Sequence, residues 1–311
     1  MNILVAVPFT QAQRERLEAA APDAKFTFAT RRDVTAEQVA AADVVVGNVA
    51  PALLTGATRV QLLQLNSAGY DDYLVAGALP AGTVLACASG AYGQAVSEHM
   101  FAMLLALMKK LPAYRDDQRA HAWRDHGAVT SLCGARVLVL GTGDIGMHFA
   151  RLAGAFGTRV IGVRRHAGTC PAGFDAVAAV DELPQLLPQA DVVASFLPST
   201  PNTRGLAGAA FFGAMKPTAY FLNGGRGDLV DQTALADALT AGRLAGAALD
   251  VTSPEPLPAN DPLWNTPNVL ITPHISGGFH LLVVLDNIAD IAAENLRRLQ
   301  AGEPIRNEVH R

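Results

Sequence analysis

Val137-Leu138-Val139-Leu140-Gly141-Thr142-Gly143-Asp144-Ile145-Gly146 joins four apolar residues, too few for a helix, to three glycines in G-x-G-x-x-G spacing, and Met147 to Phe156 then continue with helical spacing. Strand, glycine turn and helix in that order are the setting in which this motif binds a dinucleotide. The glycines permit a tight turn and a close backbone approach, and the helix start offers free N–H groups to a pyrophosphate. Gly141, Thr142, Gly143, Asp144, Ile145 and Gly146 are therefore candidate phosphate-binding residues. The next apolar run, Val160-Ile161-Gly162-Val163, ends in Arg164-Arg165-His166, 164 − 146 = 18 residues past the last glycine. An acid near this point would bond the ribose 2′-hydroxyl of NAD, whereas arginine suits the 2′-phosphate of NADP. Positions 162–166 hold no acid, so Arg164 and Arg165 predict NADP(H) as the preferred cofactor, with NAD(H) as the alternative, and the missing acid counts against an S-adenosylmethionine site.

Working outward from this turn, short β-branched runs alternate with Ala/Leu-rich stretches of helical spacing, the pattern of parallel strands joined by crossover helices. Ile3–Val7, Phe26–Ala29, Val44–Gly47, Leu62–Leu65 and Val84–Cys87 precede the turn; Val192–Phe196, Tyr220–Asn223, Ala247–Asp250 and Val269–Thr272 follow it. Near-continuous apolar runs predict sheets covered on both faces. From Ser97 to Met108 an unusually apolar helix must be buried on every side, at a domain junction or a subunit interface. At 311 residues the chain is long enough for two domains, and 24 Lys+Arg against 28 Asp+Glu, a net charge of −4, supply no field for nucleic acid. Cys87, Cys133 and Cys170 are too few and scattered for a disulfide framework, and no metal-ligand spacing is present. Met1-Asn2 runs straight into an apolar strand without a basic leader, and the longest apolar stretch, Met100 to Met108, is shorter than a membrane span, so a soluble, cytoplasmic protein is expected.

Three later segments set a polar residue just beyond a strand: Asn223-Gly224-Gly225-Arg226-Gly227, Leu249-Asp250-Val251-Thr252-Ser253-Pro254-Glu255-Pro256-Leu257 and Thr272-Pro273-His274-Ile275. In an open parallel sheet such loops converge on the cofactor crevice. Reducing a 2-oxo acid needs a fixed cation for the carboxylate and carbonyl, a proton donor for the developing alkoxide and a partner for that donor. Arg226 suits the first task because its guanidinium is a planar fork; His274 suits the second, and the Glu255 anion would orient it and favour its charged form.

With Asn66-Ser67-Ala68-Gly69-Tyr70-Asp71 and the glycine turn, these segments make five ordered motifs, and in them essentially the whole chain resembles the D-isomer-specific 2-hydroxyacid dehydrogenases, among them the glyoxylate/hydroxypyruvate reductases. The resemblance implies an α/β fold of two doubly wound parallel-sheet domains: a flavodoxin-like substrate domain of residues 1–95 and 279–311, and a Rossmann NAD(P)-binding domain of residues 96–278. It implies that Arg226 binds substrate, that His274 is the general acid in reduction and the base in oxidation, and that Glu255 is its partner. By the same resemblance Ser67, Ala68 and Gly69 offer backbone N–H groups to the substrate carboxylate, and Leu197, Pro198, Thr203, Gly224, Gly225, Asp250, His274, Ser276 and Gly277 contact the cofactor. A homodimer formed through the helix near Met100 is implied as well. Two departures concern substrate preference: Gly224-Gly225 stands where bulkier residues are often found, and Thr252-Ser253 replaces an aromatic-acid pair. The expected activity is reversible reduction of 2-oxo acids, glyoxylate, hydroxypyruvate or larger, to D-2-hydroxy acids. The competing expectation is a corepressor-like nucleotide sensor, which would have no need of Arg226, Glu255 and His274 together.

Overall fold

A computed structural model describes residues 1–75 and 77–310. The chain forms two compact units, Met1–Tyr92 with Phe279–Arg311, and Gly93–Gly278. The first holds five parallel strands, β1 (Asn2–Val5), β2 (Lys25–Phe28), β3 (Val44–Val46), β4 (Leu62–Gln64) and β5 (Val84–Ala86), in the order β2-β1-β3-β4-β5. Their Val/Leu/Ile side chains fill the interior from both faces of the central strands; Leu4, Val45, Leu63 and Leu85 share one core cluster. At the β2 edge the expectation of two covered faces fails. Lys25 and Thr27 are exposed while Phe26 and Phe28 stack on the other face, because an edge strand has less of the unit to cover it.

The far edge, β5, is closed by the chain's end: Ala86 makes an antiparallel bridge to Glu308, and the Val309 N–H donates to the Leu85 carbonyl at 2.8 Å. The helix Leu282–Ala301 packs against the helix Gln11–Ala20, and its buried Asn295 donates to Gln64 Oε1 at 2.5 Å. The first unit is thus incomplete without a segment that begins nearly two hundred residues later.

The second unit holds β6 (Arg136–Leu140), β7 (Arg159–Arg164), β8 (Ala176–Ala179), β9 (Val192–Ser195), β10 (Tyr220–Asn223), β11 (Gly246–Leu249) and β12 (Val269–Ile271), all parallel, in the order β12-β11-β10-β9-β6-β7-β8. Strand order reverses between β6 and β9, so the loops that leave their carboxyl ends diverge to opposite faces and open a crevice. The core holds Phe211, Phe212 and Phe221 in mutual edge-to-face contact at 5.3 to 5.8 Å, each burial contributing about 1.5–3 kcal/mol.

The apolar helix begins at Gly93, four residues before the sequence reading placed it, and runs to Met108. It buries Met100, Phe101, Met103 and Leu104 inside this unit, Phe101 against Phe149 of the helix Asp144–Ala155, while Ala102 is exposed and Leu105, Ala106 and Leu107 are half-buried. Burial on every side is therefore not what the unit shows. Among the described residues no helix is long and apolar enough to cross a membrane.

Candidate active site

At the carboxyl end of β6, Gly141 turns the chain at φ +98° while its N–H donates to the Val163 carbonyl at 2.8 Å. A β-carbon at position 146 would lie 2.0 Å from the Gly141 carbonyl oxygen, so the helix Asp144–Ala155 starts directly beneath the turn only because Gly146 has no side chain. The preceding Gly143 provides no side-chain cap. The first N–H groups of this helix are therefore left for an anion, whose charge also suits the positive end of the helix dipole. Asp144 turns its carboxylate toward His148, with Oδ1 3.3 Å from Nδ1.

Beside this turn lies a cavity of about 530 Å³ between the β6, β7 and β9 ends. Leu140, Val163, Leu183 and Leu206 give it apolar walls, and Arg164, Arg165, Asp181 and Thr200 give it a polar rim. Arg164 is held by an Nη2 bond of 2.9 Å to the Thr169 carbonyl and keeps Nε buried without an acceptor among the described residues. Leu197, Pro198 and Thr203 line the same cavity; the Thr203 hydroxyl donates to the Pro198 carbonyl at 2.7 Å and accepts from the Thr200 N–H at 2.8 Å, which stiffens the loop. An apolar slot with a polar rim and a glycine turn alongside fits the adenosine half of a dinucleotide.

The three polar loops leave the neighbouring strands β10, β11 and β12 on the same sheet end, which spreads them over about 10 Å at ordinary strand spacing. After β10, Asn223 stitches the loop by donating Nδ2 to the Arg226 carbonyl at 2.8 Å and accepting from the Gly225 N–H at 3.2 Å. Arg226 Nη1 donates to the Gly225 carbonyl at 2.9 Å. Gly224 and Gly225 are required by packing: a β-carbon on Gly224 would meet Met100 Cγ at 2.9 Å, and one on Gly225 the Leu197 carbonyl oxygen at 2.6 Å. The space that a larger residue would take at 224 is filled from the long helix by Met100, which is fully buried.

After β11 the chain passes Thr252, whose N–H donates to Glu255 Oε1 at 3.1 Å, and Glu255 Oε2 accepts from His274 Nδ1 at 2.8 Å. With Nδ1–H spent on Glu255, Nε2 is the ring nitrogen left to face a ligand. The two side chains are 50% and 39% exposed, so the pair adds less than about 1 kcal/mol to stability, and its value lies in orienting the ring. His274 is held at φ +52°, and its N–H donates to the Asp250 carbonyl at 2.7 Å.

Asp250 and Ser276, expected at the cofactor, have an internal task for their side chains. Asp250 is 1% exposed; its Oδ1 accepts from the Thr272 hydroxyl at 2.6 Å and the Ile275 N–H at 3.0 Å, and its Oδ2 from the Ser276 N–H at 3.0 Å and the Ser276 hydroxyl. The loop that carries His274 and Gly277 is thereby folded around one buried carboxylate. Thr272 in turn meets His99 Nε2 at 3.0 Å. Neither Thr272 nor His99 was expected to have a task; the signal was the one imidazole in a helix that is otherwise apolar from Met100 onward.

In the first unit, Ser67, Ala68 and Gly69 follow β4 and are half-buried. Asn48 and Asn66 bond reciprocally, N–H to Oδ1, at 2.7 and 3.0 Å, and Asn48 Nδ2 donates to Ser67 Oγ at 2.8 Å. Tyr92 donates its hydroxyl to the Asn66 carbonyl, and its burial pushes its ionisation well above the usual tyrosine value, so it stays a neutral donor. The loop is thus braced by Asn48 on one side and Tyr92 on the other.

The family model described as "D-isomer specific 2-hydroxyacid dehydrogenase, NAD binding domain" matches residues 101–276. The human glyoxylate reductase/hydroxypyruvate reductase is 35% identical over 221 residues, 68% of this chain and 66% of the human one. Against the D-3-phosphoglycerate dehydrogenases of Mycobacterium the chain spans only about half (48%) of the relative's length. Among solved structures, a D-isomer specific 2-hydroxyacid dehydrogenase family protein from Aeromonas salmonicida subsp. salmonicida A449 aligns with TM-score 0.88 at 35% identity, covering 99% of this chain and 98% of that one. A D-isomer specific 2-hydroxyacid dehydrogenase from Xanthobacter autotrophicus Py2, solved with NADPH and MES, aligns with TM-score 0.82 at 29% identity, covering 99% and 98%.

Proposed function

Because the chain belongs to the D-isomer specific 2-hydroxyacid dehydrogenase family, we propose that it reduces 2-oxo acids of the glyoxylate and hydroxypyruvate class, or larger, to D-2-hydroxy acids with NADPH preferred over NADH. The dinucleotide supplies the hydride that reaches the carbonyl carbon. Arg226 holds the substrate carboxylate and polarises the carbonyl by charge-assisted bonds. As negative charge grows on the carbonyl oxygen, His274 Nε2–H gives up its proton to it, so one hydride and one proton turn C=O into CH–OH. Glu255 holds Nδ1 throughout, which keeps the proton on the face that needs it. In the oxidative direction the same Nε2 takes the hydroxyl proton. Arg164 and Arg165 at the rim of the cavity would hold a 2′-phosphate, and Ser67 to Gly69 would hold the substrate carboxylate.

The 2.8 Å bond between His274 and Glu255, at the end of the strand beside the one that presents Arg226's neighbour loop, carries this reading. A nucleotide-sensing role finds no support in the comparisons. The test is loss of reduced-nicotinamide absorbance with NADPH or NADH and a panel of 2-oxo acids. Turnover is expected with NADPH and at least one small 2-oxo acid, and His274→Ala should lower kcat by about 10²–10⁴-fold. A protein inactive with every acid, or unaffected by His274→Ala, overturns the proposal. Arg164→Asp should reduce kcat/KM for NADPH at least tenfold and not for NADH; an unchanged ratio removes the cofactor preference alone.

A further inference from the structure

We infer that His99 is a positioning residue for His274, acting at a distance through Thr272 and Asp250; the inference rests on the reaction proposed above. The donors and acceptors decide its role. Asp250 is buried and receives four donors, from Thr272, Ile275 and Ser276 (N–H and hydroxyl), so it acts as an acceptor at both oxygens. The Thr272 hydroxyl has a single proton, and the 2.6 Å bond to Asp250 Oδ1 uses it. Its oxygen can then only accept, which makes His99 Nε2 the donor across 3.0 Å and fixes the ring as the Nε2–H tautomer or the imidazolium. His99 Nε2 also lies 3.9 Å from Asp250 Oδ1.

What this donor controls is the direction of the Thr272 hydroxyl. A second acceptor, Met103 Sδ, lies 3.7 Å from the same oxygen, one helical turn along from His99. Met103 is a weak acceptor, but without His99 the hydroxyl gains freedom to turn toward it, and Asp250 Oδ1 loses its shortest bond. The segment that suffers is the one with strain to hold. His274 is kept at φ +52°, a left-handed conformation that a side-chain-bearing residue rarely adopts, by an N–H bond to the Asp250 carbonyl at 2.7 Å. A looser Asp250 lets the His274 backbone relax and carries Nδ1 away from Glu255. The long helix thereby contributes to proton transfer without touching a ligand.

The test compares His99→Leu, which removes the donor, with His99→Gln, whose amide nitrogen occupies the place of Nε2, and His99→Asn, whose shorter amide falls short. His99→Leu and His99→Asn should lower kcat about tenfold while KM for the 2-oxo acid and the affinity for NADPH change less than twofold; His99→Gln should stay within twofold of the parent. Thr272→Val should lower kcat similarly, and His99→Leu in that background should cost nothing more, since the two residues act as one unit. Amide exchange read without substrate should rise about tenfold for residues 272–278 in His99→Leu and His99→Asn and stay unchanged in His99→Gln. Wild-type kcat and wild-type exchange in His99→Asn, or an equal loss in His99→Gln, overturns the inference. If no 2-oxo acid is reduced by the parent protein, the function proposed above fails, while the exchange comparison still decides the role of His99. Should His99→Leu not fold, the Asn and Gln variants carry the same comparison.

Discussion

Glu255 spends its two oxygens on different partners, one on the Thr252 N–H and one on His274, so its backbone-anchored carboxylate holds a ring that solvent would otherwise leave free to rotate. Glu255→Gln retains an oxygen for Nδ1–H but removes the charge that stabilises a protonated imidazole. We expect kcat to fall about 10- to 100-fold with KM for the 2-oxo acid little changed, because in the proposed mechanism substrate binding is assigned to Arg226 and not to Glu255; steady-state rates with saturating NADPH check it. At this scale the pairing of Glu255 with His274 was legible: an acid and an imidazole just beyond neighbouring strand ends predict the bond that the fold makes. Residues whose work is to hold others were not. Asp250 was placed at the cofactor by the family resemblance alone; the four donors that its carboxylate receives inside the loop were not legible, because nothing in the sequence says which groups an acid at a strand end will meet. His99 was hidden for the opposite reason, a polar residue at the head of the run Met100–Met108 in a helix that reads as core.

Elements carry two further expectations. Gly146→Ala puts a β-carbon 2.0 Å from the Gly141 oxygen, so the turn must open; NADPH affinity should fall by more than tenfold, as measured by nicotinamide fluorescence, whereas alanine at the exposed Gly154, with nothing within 4 Å, should leave it unchanged. At the opposite end of the same sheet, Asp191 ties three strand starts together: it accepts from the Arg136 N–H at 2.8 Å and Lys216 Nζ at 2.6 Å, and its own carbonyl accepts from the Tyr220 N–H at 3.0 Å. Partial burial pushes its carboxyl up, but the Arg136 N–H and the Lys216 ammonium outweigh this and hold it below the usual 3.8. A lowered folded value means a contribution that is complete above the unfolded value and disappears as pH falls through the folded one. Stability should therefore be flat in this respect near neutrality and drop below about pH 4, and Asp191→Asn should cost about 1 kcal/mol at pH 7 while making the acid limb shallower, read by thermal unfolding at several pH values. Most strands were legible to within two residues because Val, Ile and Leu in short runs have no other comfortable home. Ala176-Val177-Ala178-Ala179 escaped: alanine has low strand preference, and this edge strand is held by pairing to β7 on one side only.

On the scale of the whole molecule, the five-stranded unit depends on a helix and a β5 edge cover supplied by residues 279–310, whereas the seven-stranded unit is continuous in sequence. A fragment of residues 93–278 should fold alone and bind NADPH, and a fragment of residues 1–92 should not reach a cooperative fold, lacking the partner for the Gln11–Ala20 helix. Far-ultraviolet circular dichroism with thermal melts distinguishes the two, and a cooperative melt in the 1–92 fragment would contradict the dependence. The discontinuity was suggested by a last helix with no strand after it in its own series, and the resemblance of the motifs pointed the same way; the local pattern of Leu282–Ala301 alone does not say which sheet it covers, since an amphipathic helix specifies that it needs a partner and not which one.

That late helix also sets a schedule. During synthesis the first 92 residues leave the ribosome with one flank bare, and 301 − 92 = 209 more residues must be made before the covering helix is complete. At ordinary elongation rates of about 5–20 residues per second the wait is roughly 10–40 s. The dinucleotide-binding half has time to fold first, beside a sheet whose apolar flank is exposed to whatever else is emerging nearby. The newborn chain is therefore most exposed to aggregation in the interval when residues 93–278 can already be native and the helix Leu282–Ala301 has yet to arrive.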